Sequence, residues 1–196
     1  MTDSRFERAV ADIDAANAHD PNRLVIDGVA RPKEQVHAEL MTEWVRRLDP
    51  EADDAQLLAA RAHHLRRWAL SRQEYPDGRA GYLRWRAAQK RRHAEEVGHI
   101  LTEAGYAGDV IERVQRIVAK IGLGTDPDVQ THEDALCLVF LSMQFDDLGD
   151  QLGDDRMIQV VAKTWAKMSE PARARALALP LGAHAGRVLA QAITGD

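Results

Sequence analysis

Apolar residues in this chain recur at three- and four-residue steps almost from end to end, and strict two-residue alternation is nearly absent. That spacing lines one face of an α-helix and gives a strand no coherent face to bury. Phe6, Val10 and Ile13 form the first stripe, which His19-Asp20-Pro21-Asn22 ends with turn formers. Leu24-Val25-Ile26 reads as a short extended piece before Gly28. Pro32 suits the first turn of a helix, and Val36, Leu40, Trp44, Val45 and Leu48 follow at helical steps. A third helix is expected from about Asp54 to Arg72.

Gln73 to Gly81 is the strongest loop signal, after which Tyr82 to Ala104 reads as a long helix stopped by Gly105. Val110 to Ile121 carries the cleanest amphipathic stripe. Thr131 is expected to cap a helix through the apolar run Ala135 to Leu141, which suits burial on most sides. Further helices are expected around Met157 to Met168, from Pro171, and from Leu181 to Ile193. The expected fold is all-α: one domain over residues 1–196, a bundle of about seven to nine helices.

The length of 196 residues is enough to bury a real core. No apolar run approaches the ~20 residues that a membrane span needs, and the first thirty residues lack a signal-peptide pattern. The single Cys137 has no internal partner. The expected setting is therefore the reducing cytoplasm, with no membrane partner.

The formal charge of −5 hides a strong asymmetry. Between Arg61 and Arg92 lie ten basic residues and two acids, which makes +8 there and −13 over the rest. Trp68, Tyr75, Tyr82 and Trp85 share this window. Guanidinium forks bind phosphate through two donors and rings stack on bases, so Arg66, Arg72, Arg79, Tyr82, Trp85 and Arg86 form a candidate anion-binding set. The competing reading is a solvated basic face paired with acids elsewhere.

His63 and His64 are consecutive, so on a helix they would point about 100° apart and not both face one ion. His37 shares a stripe with Leu40 and Trp44, and His93 shares a face with Glu96. The acidic pair Glu133-Asp134 supports two readings. It can stabilise a helix start, with Thr131 and Asp134 resembling a capping box, or it can join imidazoles in a divalent-metal site. The metal set built from these residues is His64, His93 and Asp134, with Glu133 and Asp134 as the catalytic carboxylates. Arg66, Arg72 and Arg79 would then hold phosphate charge. Asp146-Asp147-Leu148-Gly149-Asp150, followed by Asp154-Asp155, could chelate magnesium on a diphosphate, though its glycines favour a solvated loop.

The order His37, His63-His64, Asp134 resembles the HD phosphohydrolases, an all-helical fold that holds a divalent metal with a His, a consecutive His-Asp pair and a distant Asp. Here His64 replaces the Asp of that pair, and the one consecutive His-Asp, His19-Asp20, precedes His37 and runs into Pro21. A second resemblance spans most of the chain. Ile13-Asp-Ala-Ala-Asn-Ala18, Ala60-Arg-Ala-His-His-Leu-Arg-Arg-Trp68, Gly81-Tyr82-Leu83, Trp85-Arg86, His93-Ala94, Glu133-Asp134 and Lys163-Thr-Trp165 are similar to the domain of unknown function 4202 family of bacteria and fungi. This resemblance implies one intact domain defined by His64, Arg66, Trp68, Arg79, Tyr82, Trp85, Arg86, His93, Glu133 and Asp134.

The leading expectation is a divalent-metal-dependent hydrolase of a phosphorylated small molecule or nucleotide. A non-enzymatic module binding RNA or an anionic metabolite, and a protein-interaction domain using the basic face, are the alternatives.

Overall fold

The computed structural model describes residues 4–143, 145 and 152–194 and is predominantly all-α. Nine α-helices are present among the described residues, together with one two-stranded hairpin. The chain forms two compact units, residues 1–122 and 123–196.

In the first unit, α1 (Ser4–Asn17) is followed by β1 (Arg23–Ile26) and β2 (Val29–Pro32). The strands pair antiparallel with Ile26 opposite Val29 and Arg23 opposite Pro32. Asp27 and Gly28 both take positive φ, at 50° and 79°, the geometry of a two-residue turn whose twist matches the flanking strands. The extended piece expected at Leu24–Ile26 is thus half of a hairpin.

Helix α2 (Lys33–Leu48) starts directly after Pro32, and α3 spans Asp54–Arg61. Asp53 and Gln56 close a reciprocal capping box at the start of α3. Helix α4 (Gly78–Glu103) begins four residues before the expected start and ends ahead of Gly105, which sits at φ 83°. Helix α5 covers Gly108–Ala119 and stops at Lys120 in the left-handed conformation. Ile121, expected as the last stripe residue, is therefore outside the helix and 58% exposed. The core of this unit is built from Ile13, Met41, Leu58, Leu65, Leu101 and Ile117, all essentially inaccessible.

The main departure from expectation concerns α3, which ends at Arg61 rather than near Arg72. Local propensity would let it continue, and the reason it stops lies in α4. Positions 81, 85, 89, 93, 97 and 101 form one i,i+4 stripe, and its N-terminal part meets backbone rather than side chains. Trp85 Nε1 donates to Leu70 O (3.1 Å), and Gln89 Nε2 donates to Arg67 O (2.8 Å) and Leu70 O (3.1 Å). His93 Nδ1 donates to Leu65 O (2.8 Å). Arg92 adds a bond to Arg66 O (2.8 Å), and Arg66 N donates to Asn17 Oδ1 (3.0 Å). Carbonyls that a continuing helix would use internally are taken by α4 donors, so the chain turns, with Arg66 at φ 49°. Val97 and Leu101, farther along the stripe, enter the apolar core.

The second unit comprises α6 (Pro127–Met143), α7 (Asp154–Trp165), α8 (Glu170–Leu177) and α9 (Ala183–Thr194). Helix α6 packs on α8, and α7 packs on α9. The apolar run of α6 is helical and mostly buried, as expected, but the helix already starts at Pro127, so Thr131 lies inside it rather than at its cap. Ser169 caps α8, accepting from Ala172 N, with Pro171 in its first turn. Residues Asp146, Asp147 and Asp150 of the acidic pentapeptide lie outside the described residues. Asp154 and Asp155 open α7, where acids favour a helix N-terminus.

Candidate metal centre

The turn after α3 brings His63 and His64 onto the first two turns of α2. Asp20 prepares the position: its carboxylate is fully buried and accepts from Asn22 N (2.9 Å) and from Glu34 N (2.9 Å). One side chain therefore orders the turn after α1 and caps α2. Glu34 and His37, three positions apart on that helix, consequently share a face.

Glu34, His37 and His64 each offer a ligand atom, and the three atoms lie within 4.8 Å of one another. Two ligands ~2.1 Å from a tetrahedral ion stand about 3.4 Å apart, so side-chain rotation of an ångström or so closes the set. The His37 and His64 rings stack with centroids 4.3 Å apart, and the His63 ring is 4.4 Å from that of His64. The His93 ring lies 6.0 Å from His64. The consecutive histidines thus approach one centre because they occupy a turn, not the helix that the spacing suggested.

Hydrogen bonds define the tautomers. Arg67 Nη1, a donor only, is 3.3 Å from His64 Nε2, so that nitrogen accepts. His64 Nδ1 then carries the proton and donates to Glu34 Oε2 at 3.1 Å. His93 Nδ1 donates to a carbonyl, which leaves its Nε2 with a lone pair. That Nε2 is buried and has no hydrogen-bond partner among the described residues, and the same holds for both ring nitrogens of His37. Buried imidazole nitrogens without partners are costly unless a ligand completes them.

Burial also sets the charge states. It pushes the Glu34 carboxyl up to about 7, against the opposing charge of Arg67. It holds His37 down to about 3, with Arg67 and Lys33 adding repulsion, and His93 at about 4. His64 lies well below its ordinary range through burial and then through neighbouring His37. Three neutral imidazoles, as a divalent cation needs, therefore face a carboxyl that must give up its proton to serve as a ligand.

Of the metal set expected from sequence, His64 is in this cluster and His93 stands beside it. Asp134 belongs to the second unit, where Oδ1 accepts from Ser169 N (2.9 Å) and Gln130 Nε2 (3.0 Å) and Oδ2 accepts from Ser169 Oγ (2.5 Å). It ties α6 to the cap of α8. Glu133, also buried, lies 3.4 Å from Lys167 Nζ. Glu34 was missed by the sequence reading, although Glu-x-x-His on a helix is a spacing that can turn two ligands to one ion.

The anion set is also redistributed. Arg72 donates to Tyr75 O (2.8 Å) and Pro76 O (2.9 Å), closing the loop before α4. Arg66 is exposed, 4.0 Å from Glu96, and Arg79 is exposed as well. Arg86 lies over the Tyr82 ring at 5.8 Å, and Tyr82 is 6.0 Å from Trp85. Arg67, which helical spacing puts on a face with His64 but which the expected anion set leaves out, stacks on Trp85 at 4.9 Å and reaches the histidine cluster.

The described residues thus form a predominantly helical fold with a buried histidine–carboxylate cluster between the start of α2 and the turn after α3. The chain belongs to the family described as domain of unknown function (DUF4202), whose model matches residues 7–189. No curated protein and no solved structure gives a match. No helix among the described residues is long and apolar enough to cross a membrane.

Proposed function

We propose that Glu34, His37 and His64 hold a divalent metal ion and that the protein hydrolyses a phosphate ester there. The observation that carries this reading is the convergence of the three ligand atoms within 4.8 Å, with both His37 nitrogens lacking any other partner. Two imidazoles and a carboxylate suit zinc and comparable first-row ions and leave further coordination positions open. When bound, such an ion supplies Lewis acidity toward a phosphoryl oxygen and toward water.

The protein groups have separable roles. Glu34 is aimed by the Asp20 cap on its backbone, and without an ion His64 is held between Glu34 and Arg67. Because a neutral imidazole has one lone pair, an ion on His64 would take the place of the Arg67 bond. His93, fixed through Leu65 O, offers Nε2 as a proton acceptor beside the cluster. Arg67 supplies positive charge at the edge of the cluster. The sequence order His37, His63-His64 keeps the histidine portion of the HD pattern, with Glu34 supplying a carboxylate from a different place in the chain.

Metal analysis of the chain purified without chelator tests the reading. One equivalent of a divalent ion is expected, together with metal-dependent release of phosphate from a generic ester. His37→Ala, His64→Ala and Glu34→Gln should each weaken metal binding at least tenfold. A folded wild-type chain that binds no divalent ion would overturn the proposal.

A further inference from the structure

We propose that the site takes a phosphate monoester that also carries a planar ring, as a nucleoside monophosphate does, its phosphate between the metal centre and Arg67 and its planar group against Tyr82. This rests on the metal-site reading above and names its substrate class.

Arg67 is the anchor. It is half-buried, its guanidinium uses one N–H on His64 Nε2, and among the described residues that guanidinium has no other hydrogen bond and no carboxylate at ion-pair distance. A guanidinium carries five donors in a planar fork whose spacing matches two phosphate oxygens. Placing such a fork at the edge of a histidine–glutamate cluster, with most donors unused, leaves room for an anion shared between the two.

The rest of the ligand is indicated by what continues outward. The Arg67 guanidinium lies on Trp85, whose indole is pinned by its bond to Leu70 O. Next comes Tyr82, 6.0 Å from Trp85 and 43% exposed, with Arg86 over its ring. The run from His64 to the surface is thus the Arg67 guanidinium, the Trp85 and Tyr82 rings and the Arg86 guanidinium. Inorganic phosphate would engage only its inner end. An uncharged ring would leave Arg67 unpaired. A monoester with a planar ring uses both, through bidentate hydrogen bonds inside and stacking outside.

The test is calorimetric titration of the full-length, zinc-loaded chain with adenosine 5′-monophosphate, glycerol 3-phosphate and inorganic phosphate, repeated after chelator treatment. The nucleotide should bind about tenfold more tightly than glycerol 3-phosphate. Tyr82→Ala should abolish that preference without changing the affinity for inorganic phosphate. Arg67→Met should weaken all three at least tenfold with zinc content unchanged, and Arg67→Lys should recover part of the loss. Because Tyr82 is exposed, its variant keeps the test decisive if Arg67→Met fails to fold. Equal affinities for nucleotide and glycerol 3-phosphate overturn the proposal, as does a folded Arg67→Met that binds like wild type. A chain that holds zinc but binds none of the phosphates overturns this inference and leaves the metal reading standing. A chain that binds no zinc yet binds the nucleotide through Arg67 and Tyr82 overturns the metal reading and the placement of the phosphate at the metal, and keeps only the Arg67 and Tyr82 contacts.

Discussion

Gly81 shows how tightly single positions are specified around the cluster. A Cβ built there would lie 1.7 Å from Pro76 O, which is backbone and cannot swing aside. Gly81→Ala should therefore destabilise the protein by about 1–3 kcal/mol, read as a lowered thermal midpoint. An unchanged midpoint would mean that α4 does not begin as described. Asp20 is a second such position, since its carboxylate serves both Asn22 and Glu34. Asp20→Ala should cost about 1–2 kcal/mol and weaken metal binding by loosening Glu34. Titration is expected to follow from the shifted groups. His37 and His93 have folded values near 3 and 4, below the ordinary ~6.5, so the stability they support is present above that value and declines as pH falls. Glu34, raised to about 7, acts in the opposite sense, favouring the fold at low pH and losing that contribution as pH rises through 7. In the chelator-treated chain the histidines outnumber it, so the urea midpoint should fall between pH 7 and 5. Glu34→Gln removes the opposing contribution and should steepen that fall; a shallower fall would contradict the assignment.

Among the elements, α4 does the most to place the site. Its inner stripe is polar from Gly81 to His93 and apolar at Val97 and Leu101, so one helix both holds the 65–70 turn and enters the core. Gln89 serves two carbonyls at once, and Gln89→Leu would leave both without that donor. A loss of about 1–3 kcal/mol is expected from urea unfolding, with at least tenfold weaker zinc binding, because the turn that presents His64 depends on those bonds. Zinc affinity equal to wild type would show that the turn is held by other means. The same element explains where periodicity misled. Leu57, Leu58 and Leu65 keep a helical rhythm across the break, and nothing local in Ala62-His63-His64-Leu65 stops a helix. The competing hydrogen-bond donors lie 15 to 28 residues from the carbonyls they take.

At the scale of the whole molecule, every ligand of the proposed centre, and Arg67, Tyr82, Trp85 and His93 with them, falls within residues 1–122, one compact unit. A fragment of residues 1–122 should therefore bind zinc with the stoichiometry of the full chain. Binding by the full chain but not by a folded fragment would contradict this assignment of the ligands. The net charge belongs to this scale as well. The +8 of the Arg61–Arg92 window is partly engaged in fastening the fold, through Arg61 to Asp14 (2.5 Å), Arg92 to Glu96 (2.9 Å) and Arg72 to the loop carbonyls. What the cluster retains for a ligand is chiefly Arg67.

Spacing of apolar residues, with proline and glycine as stops, was enough by itself to determine a helical protein and most of its helix positions, because amphipathicity is a local property of the chain. The basic, aromatic window and the histidines beside it also marked His64, His93, Tyr82, Trp85 and Arg86 as chemically notable. Tertiary structure alone decided that α3 ends at Arg61, that Glu34 faces His37 and His64, and that Arg67 is the arginine beside them. Those outcomes depend on α4 side chains satisfying a distant backbone, and an energy shared between residues so far apart in sequence leaves no local periodicity to read.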